Sequence, residues 1–333
     1  MAEQHKHSPF EHVQDTGIWE FFTALFGDKQ EIRLPAFDIP LFNYRFQITK
    51  FMILELIAGI LILLIYLPLA RRASSGELPK GRWWNAFESL LTFVRNEIAK
   101  PNLGEKDADK YVPYLWTLFL FLLFCNLLGM IPFMGSPTAN IWATGALALI
   151  SFVMLHGAAI VKMGYEPPGA HGHGHDHHEG PGDHIDTEHG QHSSRADPYA
   201  GLRGLPIVGP LMIGTIRYFG ALWPKIEVPY VGWLFSLIIF VIELVGTVIK
   251  SGVLAVRLFA NMFAGHMVLA VILLFIVSAA ESRNIWLLGS VSIASVLGVV
   301  GLSLLELFVA FLQAYIFVFL TALFMGMSLH PEH

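Results

Sequence analysis

Polar side chains with proton-transfer or charge-pairing chemistry interrupt the most apolar part of this 333-residue chain. Five of them, Glu243, Lys250, Arg257, Asn261 and His266, lie within ELVGTVIKSGVLAVRLFANMFAGH. A charge in hydrocarbon costs from a few to more than about ten kcal/mol, so such residues persist where they face water or a partner. On a helix the three charged residues share one face with Asn261, and His266 points to roughly the opposite side. This helix is predicted to show a guanidinium to one neighbour and an imidazole to another, unless the arginine only pins two helices together.

The segments that must position these residues are unusually long. Residues 231–279 and 286–328 are each about twice the ~20 residues that a membrane-spanning helix needs. Each segment is either two spans with an unmarked turn or one long tilted helix, and the absence of Pro and of a polar loop favours the long helix. Arg257 is about 28 residues, or about 42 Å, from the turn that follows, so keeping it near mid-bilayer requires a tilt of about 65 to 70°.

The second long segment carries a matching polar pair, Glu306 and Gln313, on one face. An antiparallel hairpin that turns near residues 284–286 sets Arg257 opposite Gln313 and His266 opposite Glu306. Imidazole and carboxyl groups carry protons when hydrated, whereas arginine keeps its proton. A fixed cation between two proton paths blocks the direct leakage of protons from one to the other. It also lowers the pKa of a nearby carboxyl group by about 1 to 3 units. The pattern predicts two offset half-channels that serve a mobile carboxylate, which a partner must provide.

Composition defines the class of protein. The chain is 54% hydrophobic and only 14% charged, which is typical of an integral membrane protein. We expect an all-α fold with about five membrane-embedded helices plus one interfacial amphipathic helix, the last two membrane helices being long, strongly tilted and paired as a hairpin. The net charge of -5 gives no reason to expect nucleic acid as a partner, and the single Cys125 excludes a disulfide framework. No cofactor and no catalytic centre are expected.

The order of segments predicts four parts and a topology. The basic loop at 70–110 should be cytoplasmic, which places the N-terminus outside and the C-terminus inside. The polar N-terminus lacks the pattern of a cleaved signal, so the first span should direct insertion, and the composition favours a bacterial plasma (inner) membrane. The parts are a 1–47 extracytoplasmic lead-in, a 48–161 block of three spans with an amphipathic cytoplasmic helix at about 83–98, a 162–205 His-rich disordered cytoplasmic loop, and a 206–333 hairpin forming the proton path.

Two features of the sequence allow more than one interpretation. The His-rich loop is low-complexity sequence without the ligand spacing of a closed metal site, so weak adventitious binding is expected; metal sensing or proton buffering is the alternative. The residues concerned are His171, His173, His175, His177 and His178. Glu55 in the first span is interpreted as a snorkelling or helix-paired carboxylate.

The motifs that carry these residues resemble a known family. RLFANMFAGH, LQAYIFVFLTALF and NLLGMIPF closely resemble subunit a of the F-type ATP synthase membrane sector, over about residues 48–330 apart from the His-rich loop. The resemblance implies that Arg257 faces a rotating ring of c subunits, that Asn261 lines the path beside it, and that Gln313 neighbours the arginine. It further implies that His266 and Glu306 form the interacting pair of the inlet half-channel, and that Glu243, with Lys250 nearby, serves the outlet.

The same resemblance implies the partners and a candidate inlet. The partners are the c-subunit ring, b-type peripheral stalk subunits, the lipid bilayer and the whole F1Fo complex. Gly129 stands where some relatives carry an acidic residue, which leaves Asn126, Thr138 and Asn140 as candidate inlet-lining residues. A self-contained proton-coupled transporter is a competing hypothesis, but it usually requires an internal repeat that this sequence lacks. A metal transporter is suggested only by the His-rich loop.

Overall fold

The computed structural model describes residues 18–19, 32–39, 44–74, 81–131, 135–165, 208–221, 232–282 and 284–329. The chain divides into two compact units. The first unit comprises Met1–Val153 and Gly246–Gly326, and the second comprises Met154–Val245 and Met327–His333.

Short strands precede the first helix. Ile18–Trp19 (β1) pairs antiparallel with Ile32–Arg33 (β2), and Ala36–Ile39 (β3) pairs antiparallel with Tyr44–Gln47 (β4). The 1–47 lead-in therefore contains two short β-ladders. The boundaries of the four predicted parts stay predictions, and the His-rich stretch from residue 166 onward lies outside the described residues.

Within the described ranges, five helices are long and apolar enough to cross a membrane, which confirms the predicted all-α integral membrane class. They are Lys50–Ser74 (α1), the Asp107–Gly129 part of Lys100–Gly129 (α3), Ile141–Tyr165 (α4), Gly232–Glu281 (α6) and Ile285–Leu329 (α7).

A 3-10 turn and a capping residue precede α4. Pro137–Ala139 forms a 3-10 turn, and Asn140 then caps α4, its side-chain oxygen accepting a hydrogen bond from the backbone N–H of Trp142 at 2.9 Å. Helix α3 ends at Gly129.

The predicted amphipathic helix is present as Arg82–Phe93 (α2), and a π-helical segment, Val94–Ala99, continues it. The indole N–H of Trp116 on α3 donates to the carbonyl of Leu91 at 2.7 Å, which ties α2 to the spanning helix that follows.

Helices α6 and α7 are each continuous, with 50 and 45 residues, so neither segment is two spans with an internal turn. At ~1.5 Å per residue each exceeds about 65 Å, more than twice the ~30 Å of hydrocarbon. Asn284 begins α7 as its cap, accepting from the backbone N–H of Trp286 at 3.2 Å. The strong tilt stays a prediction.

One helix was not predicted. Val208–Ala221 (α5) lies in the region that the sequence assigned to the 206–333 hairpin. In the second unit it runs antiparallel to the C-terminal half of α4. A Cβ at Gly214 would collide with the carbonyl oxygen of Ile160, and one at Gly164 with that of Pro210, so glycine allows the two backbones to approach closely.

Candidate functional site

A cavity of about 240 Å³ lies in the first unit between α3, α6 and α7. Its polar lining comes from Asn126 on α3, Asn261 and His266 on α6, and Glu306 on α7. The remaining lining residues are apolar apart from backbone groups. The cavity is large enough for several waters, since one needs only about 10 to 15 Å³ of such volume.

His266 and Glu306 leave polar atoms unsatisfied around this cavity. Nε2 of His266 and Oε1 of Glu306 are both buried, and neither has a hydrogen-bond partner among the described residues. Buried polar atoms normally have partners, so an atom without one indicates unfilled hydrogen-bonding capacity. The two groups line one cavity without bonding each other in the described part of the chain, an arrangement that water can bridge.

Gly265 makes room for the carboxylate of Glu306. A Cβ at position 265 would collide with Oε1 of Glu306. The glycine of the AGH triplet therefore sets how closely α7 brings its carboxylate to α6.

Asn261 on α6 and Gln313 on α7 form a second polar contact between these two helices. Nδ2 of Asn261 donates to Oε1 of Gln313 at 2.9 Å. Gln313 is only 2% exposed, and its Nε2 has no hydrogen-bond partner among the described residues. Gln313 was expected opposite Arg257; its hydrogen bond instead goes to Asn261, one turn further along α6.

Arg257 is half-buried, and its guanidinium has no hydrogen-bond or ion-pair partner in the described part of the chain. Two neighbours on the helix, Val253 and Val256, are 48% and 54% exposed. A permanent cation among exposed apolar side chains is unfavourable in hydrocarbon unless an anion or water faces it.

The two residues that are predicted to serve the outlet differ in their surroundings. Nζ of Lys250 lies 5.3 Å from the ring centroid of Phe324, within the range of a cation–π contact. Glu243 is exposed and belongs to the second unit, where its negative charge acts on the hydroxyl of Tyr218.

Of the candidate inlet residues, only Asn126 lines the cavity. It is fully buried, donates to the carbonyl of Ala310 at 3.2 Å, and accepts from the hydroxyl of Thr138 at 2.8 Å. Thr138 therefore supports Asn126, and Asn140 is the cap of α4. Gly129 packs so closely on Ser136 that a Cβ would collide with it, which explains why no acidic side chain fits there.

The five histidines of the predicted weak metal site, at 171–178, fall outside the described ranges. Within those ranges no group of three or more His, Cys, Asp or Glu side chains is placed to hold a metal ion.

The sequence interpretation missed a second polar pair, His156 on α4 and Tyr218 on α5, which are hydrogen-bonded between Nδ1 and the hydroxyl. A histidine in the middle of an apolar span was the available signal for His156. Tyr218 could not be paired with it, because α5 had not been predicted.

The sequence matches the profile of the family described as "ATP synthase A chain" over residues 52–168 and 205–326. The match covers more than half of the chain and includes α6 and α7 almost completely.

Individual relatives of the chain bear names that match this family. The chain is 36% identical over 282 residues to "ATP synthase subunit a" of Anaeromyxobacter dehalogenans (strain 2CP-C), covering 84% of this chain and 58% of that protein. It is 33% identical to "ATP synthase subunit a" of Myxococcus xanthus (strain DK1622), covering 86% and 74%, and 32% identical to "ATP synthase subunit a 2" of Chlorobaculum tepidum, covering 95% and 71%. The chain spans only 50 to 58% of the length of the three Anaeromyxobacter relatives that it matches.

Proposed function

Because this chain belongs to the ATP synthase A chain family, we propose that it is the proton-conducting stator subunit of the F-type ATP synthase membrane sector. In this role it catalyses no reaction by itself. It passes protons through two offset half-channels, separated by Arg257, to and from a carboxylate on a rotating ring of c subunits. That coupling links proton flow to ATP synthesis.

The observation that carries this proposal is the isolation of the Arg257 guanidinium. It is half-buried, flanked by exposed apolar side chains, and has no anionic partner among the described residues. A carboxylate carried past it by another subunit would provide the missing anion. Attraction by the cation would lower the pKa of that carboxyl group by about 1 to 3 units and favour release of its proton.

The inlet half-channel is proposed to run through the cavity lined by Asn126, His266 and Glu306. Waters in the cavity would bridge the unsatisfied atoms of His266 and Glu306 and so connect two groups that exchange protons readily. Asn261 and Gln313 would hold the polar surface beside Arg257, since their mutual hydrogen bond leaves an amide N–H of Gln313 available.

The outlet half-channel is proposed to include Glu243, with Lys250 nearby. Glu243 precedes Arg257 by fourteen residues on the same helix, toward the predicted cytoplasmic side. Its carboxylate is exposed, as a group that exchanges protons with water must be.

The assembled complex would sit in a bacterial plasma membrane, with the N-terminus of this chain outside and its C-terminus in the cytoplasm. Its partners would be the c ring, b-type peripheral stalk subunits and the remainder of the F1Fo complex. The exposed apolar side chains of α6 and α7 fit contact with lipid and with other membrane helices.

Copurification tests this assignment. The chain should be isolated under mild detergent from its native membrane together with a small hairpin protein that forms a ring and bears one buried carboxylate. Isolation as a stable, separate transporter that binds a solute and carries no such ring protein would contradict it.

A further inference from the structure

The second unit contains a tyrosine–histidine pair that the proposed roles leave unused, with Tyr218 buried and His156 half-buried. The Tyr218 hydroxyl is hydrogen-bonded to Nδ1 of His156, and the ring centroids are 5.6 Å apart in an edge-on arrangement. Tyr218 is 7% exposed. Both groups can donate and accept protons, so the pair has the chemistry of a relay.

The crossing of α4 and α5 holds this pair in place. Close backbone approaches at Gly164 and Gly214 fix the two helices, and Nη1 of Arg217 donates to the carbonyl of Met163 at 2.9 Å near the C-terminal end of α4. Helix α5 has 14 residues and is not one of the five membrane-capable helices. It therefore places Tyr218 about two turns inward from the end of α4 without crossing the membrane.

Glu243 belongs to the same unit and acts on the same hydroxyl. Phe219 of α5 packs on Phe240 of α6 at 6.4 Å between ring centroids, one turn before Glu243. Burial, and to a smaller extent the negative charge of Glu243, raises the pKa of Tyr218 to about 12. Like an ordinary phenol, the hydroxyl is protonated at neutral pH, so it can donate a hydrogen bond to His156.

Packing alone is a poor reason for this pair. The glycine contacts already hold α4 against α5, and a hydrogen bond between membrane helices adds little stability on average. Apolar side chains would fill the same space without the cost of burying polar groups.

We propose that Tyr218 and His156 extend the outlet half-channel from Glu243 toward the cytoplasm, an inference that rests on the function proposed above. A proton leaving Glu243, directly or through one water, joins the Tyr218 oxygen as the hydroxyl proton moves to Nδ1 of His156. The phenol is regenerated, one proton has moved, and no electron is transferred. His156 then releases a proton to water, and the sequence reverses when the flow of protons reverses.

Tyr218→Phe tests the relay because it removes the hydroxyl and keeps the ring. Tyr114→Phe is the matched control, since the Tyr114 hydroxyl also bonds α4, at 3.0 Å from Oγ of Ser151, a group that does not titrate. ATP-driven acidification of inverted vesicles carrying the whole complex should slow about threefold or more with Tyr218→Phe, because water replaces a relay only in part. The ratio of rates in H₂O and D₂O should rise in the same variant. Tyr114→Phe should leave both near wild type.

His156→Ala gives a second, independent test. Its slowed acidification should recover in part when imidazole is added to the buffer, which restores a proton carrier but no packing contact. Wild-type rates in both variants would overturn the relay. So would slowed rates with an unchanged isotope ratio and no recovery with imidazole, which is the result of a structural role alone. If Tyr218→Phe prevents assembly of the complex, the acidification rate of His156→Ala and its recovery with imidazole test the relay instead.

An Arg257→Ala complex assayed in parallel separates this inference from the function on which it rests. Loss of pumping there, with normal pumping in Tyr218→Phe and His156→Ala, refutes the relay only. Retained pumping with Arg257→Ala refutes the proposed function itself.

Discussion

Gly265 and Glu306 approach so closely that any side chain at position 265 would collide with the Glu306 carboxylate. The contact joins α6 to α7 beside the cavity that His266 and Asn126 also line. The lack of a side chain at position 265 thus leaves the space that the Glu306 carboxylate occupies.

Gly265→Ala should slow ATP-driven proton pumping several-fold while the complex still assembles, because the added methyl group displaces the carboxylate from its place in the cavity. Gly252→Ala is the control on the same helix, since a Cβ there meets nothing within 4 Å. Acidification of vesicles measures both. Equal rates in the two variants would show that the position of Glu306 does not matter.

His266→Ala and Glu306→Ala should each slow proton flow by about tenfold or more, because each removes a group that exchanges protons in the cavity. The double exchange, His266→Glu with Glu306→His, should recover part of the loss, since both groups line one cavity. Passive proton flow through the assembled complex is the readout. Failure of the exchange to recover any flow would indicate that the two groups do not act together.

Asn126→Leu should reduce stability by about 1 to 3 kcal/mol, because it removes two buried hydrogen bonds, one to the Ala310 carbonyl and one from the Thr138 hydroxyl. The thermal dissociation temperature of the purified complex should fall. Thr92→Val is the control, because the exposed Thr92 hydroxyl bonds only the Glu88 carbonyl of its own helix. A temperature equal to that of the control would mean that the Asn126 network contributes nothing to assembly.

Deletion of residues 170–192 should leave coupled pumping near the wild-type rate, because no ligand spacing in this His-rich stretch defines a closed metal site. ATP hydrolysis and acidification in the same vesicles measure coupling. A complex that assembles but does not pump would assign the stretch a role in function.

Much of the architecture could be read from the sequence, because bilayer physics restricts membrane segments strongly. The uninterrupted apolar runs predicted α6 and α7 as continuous helices, and seven-residue spacing placed their polar residues. Helix pairing is harder to read, since a hairpin argument locates partners only to within about one turn. Gln313, predicted opposite Arg257, is hydrogen-bonded to Asn261, one turn further along α6.

Other features had no sequence signal of their own. Helix α5 is short, carries Pro210 in its first turn, and owes its position to glycine contacts with α4 that appear only in three dimensions. Asn140, a candidate inlet-lining residue, caps α4, and the sequence could not separate the two roles because a polar residue beside a span has the same pattern in either.

The central claim is that Arg257 is the functional cation of this chain. It is tested most directly by ATP-driven acidification of membrane vesicles carrying Arg257→Ala beside wild type, with assembly verified by copurified subunits. The account predicts an assembled complex in which acidification is abolished, because no other described side chain takes the place of the isolated guanidinium. Acidification at the wild-type rate would show that Arg257 is structural and would contradict the half-channel mechanism.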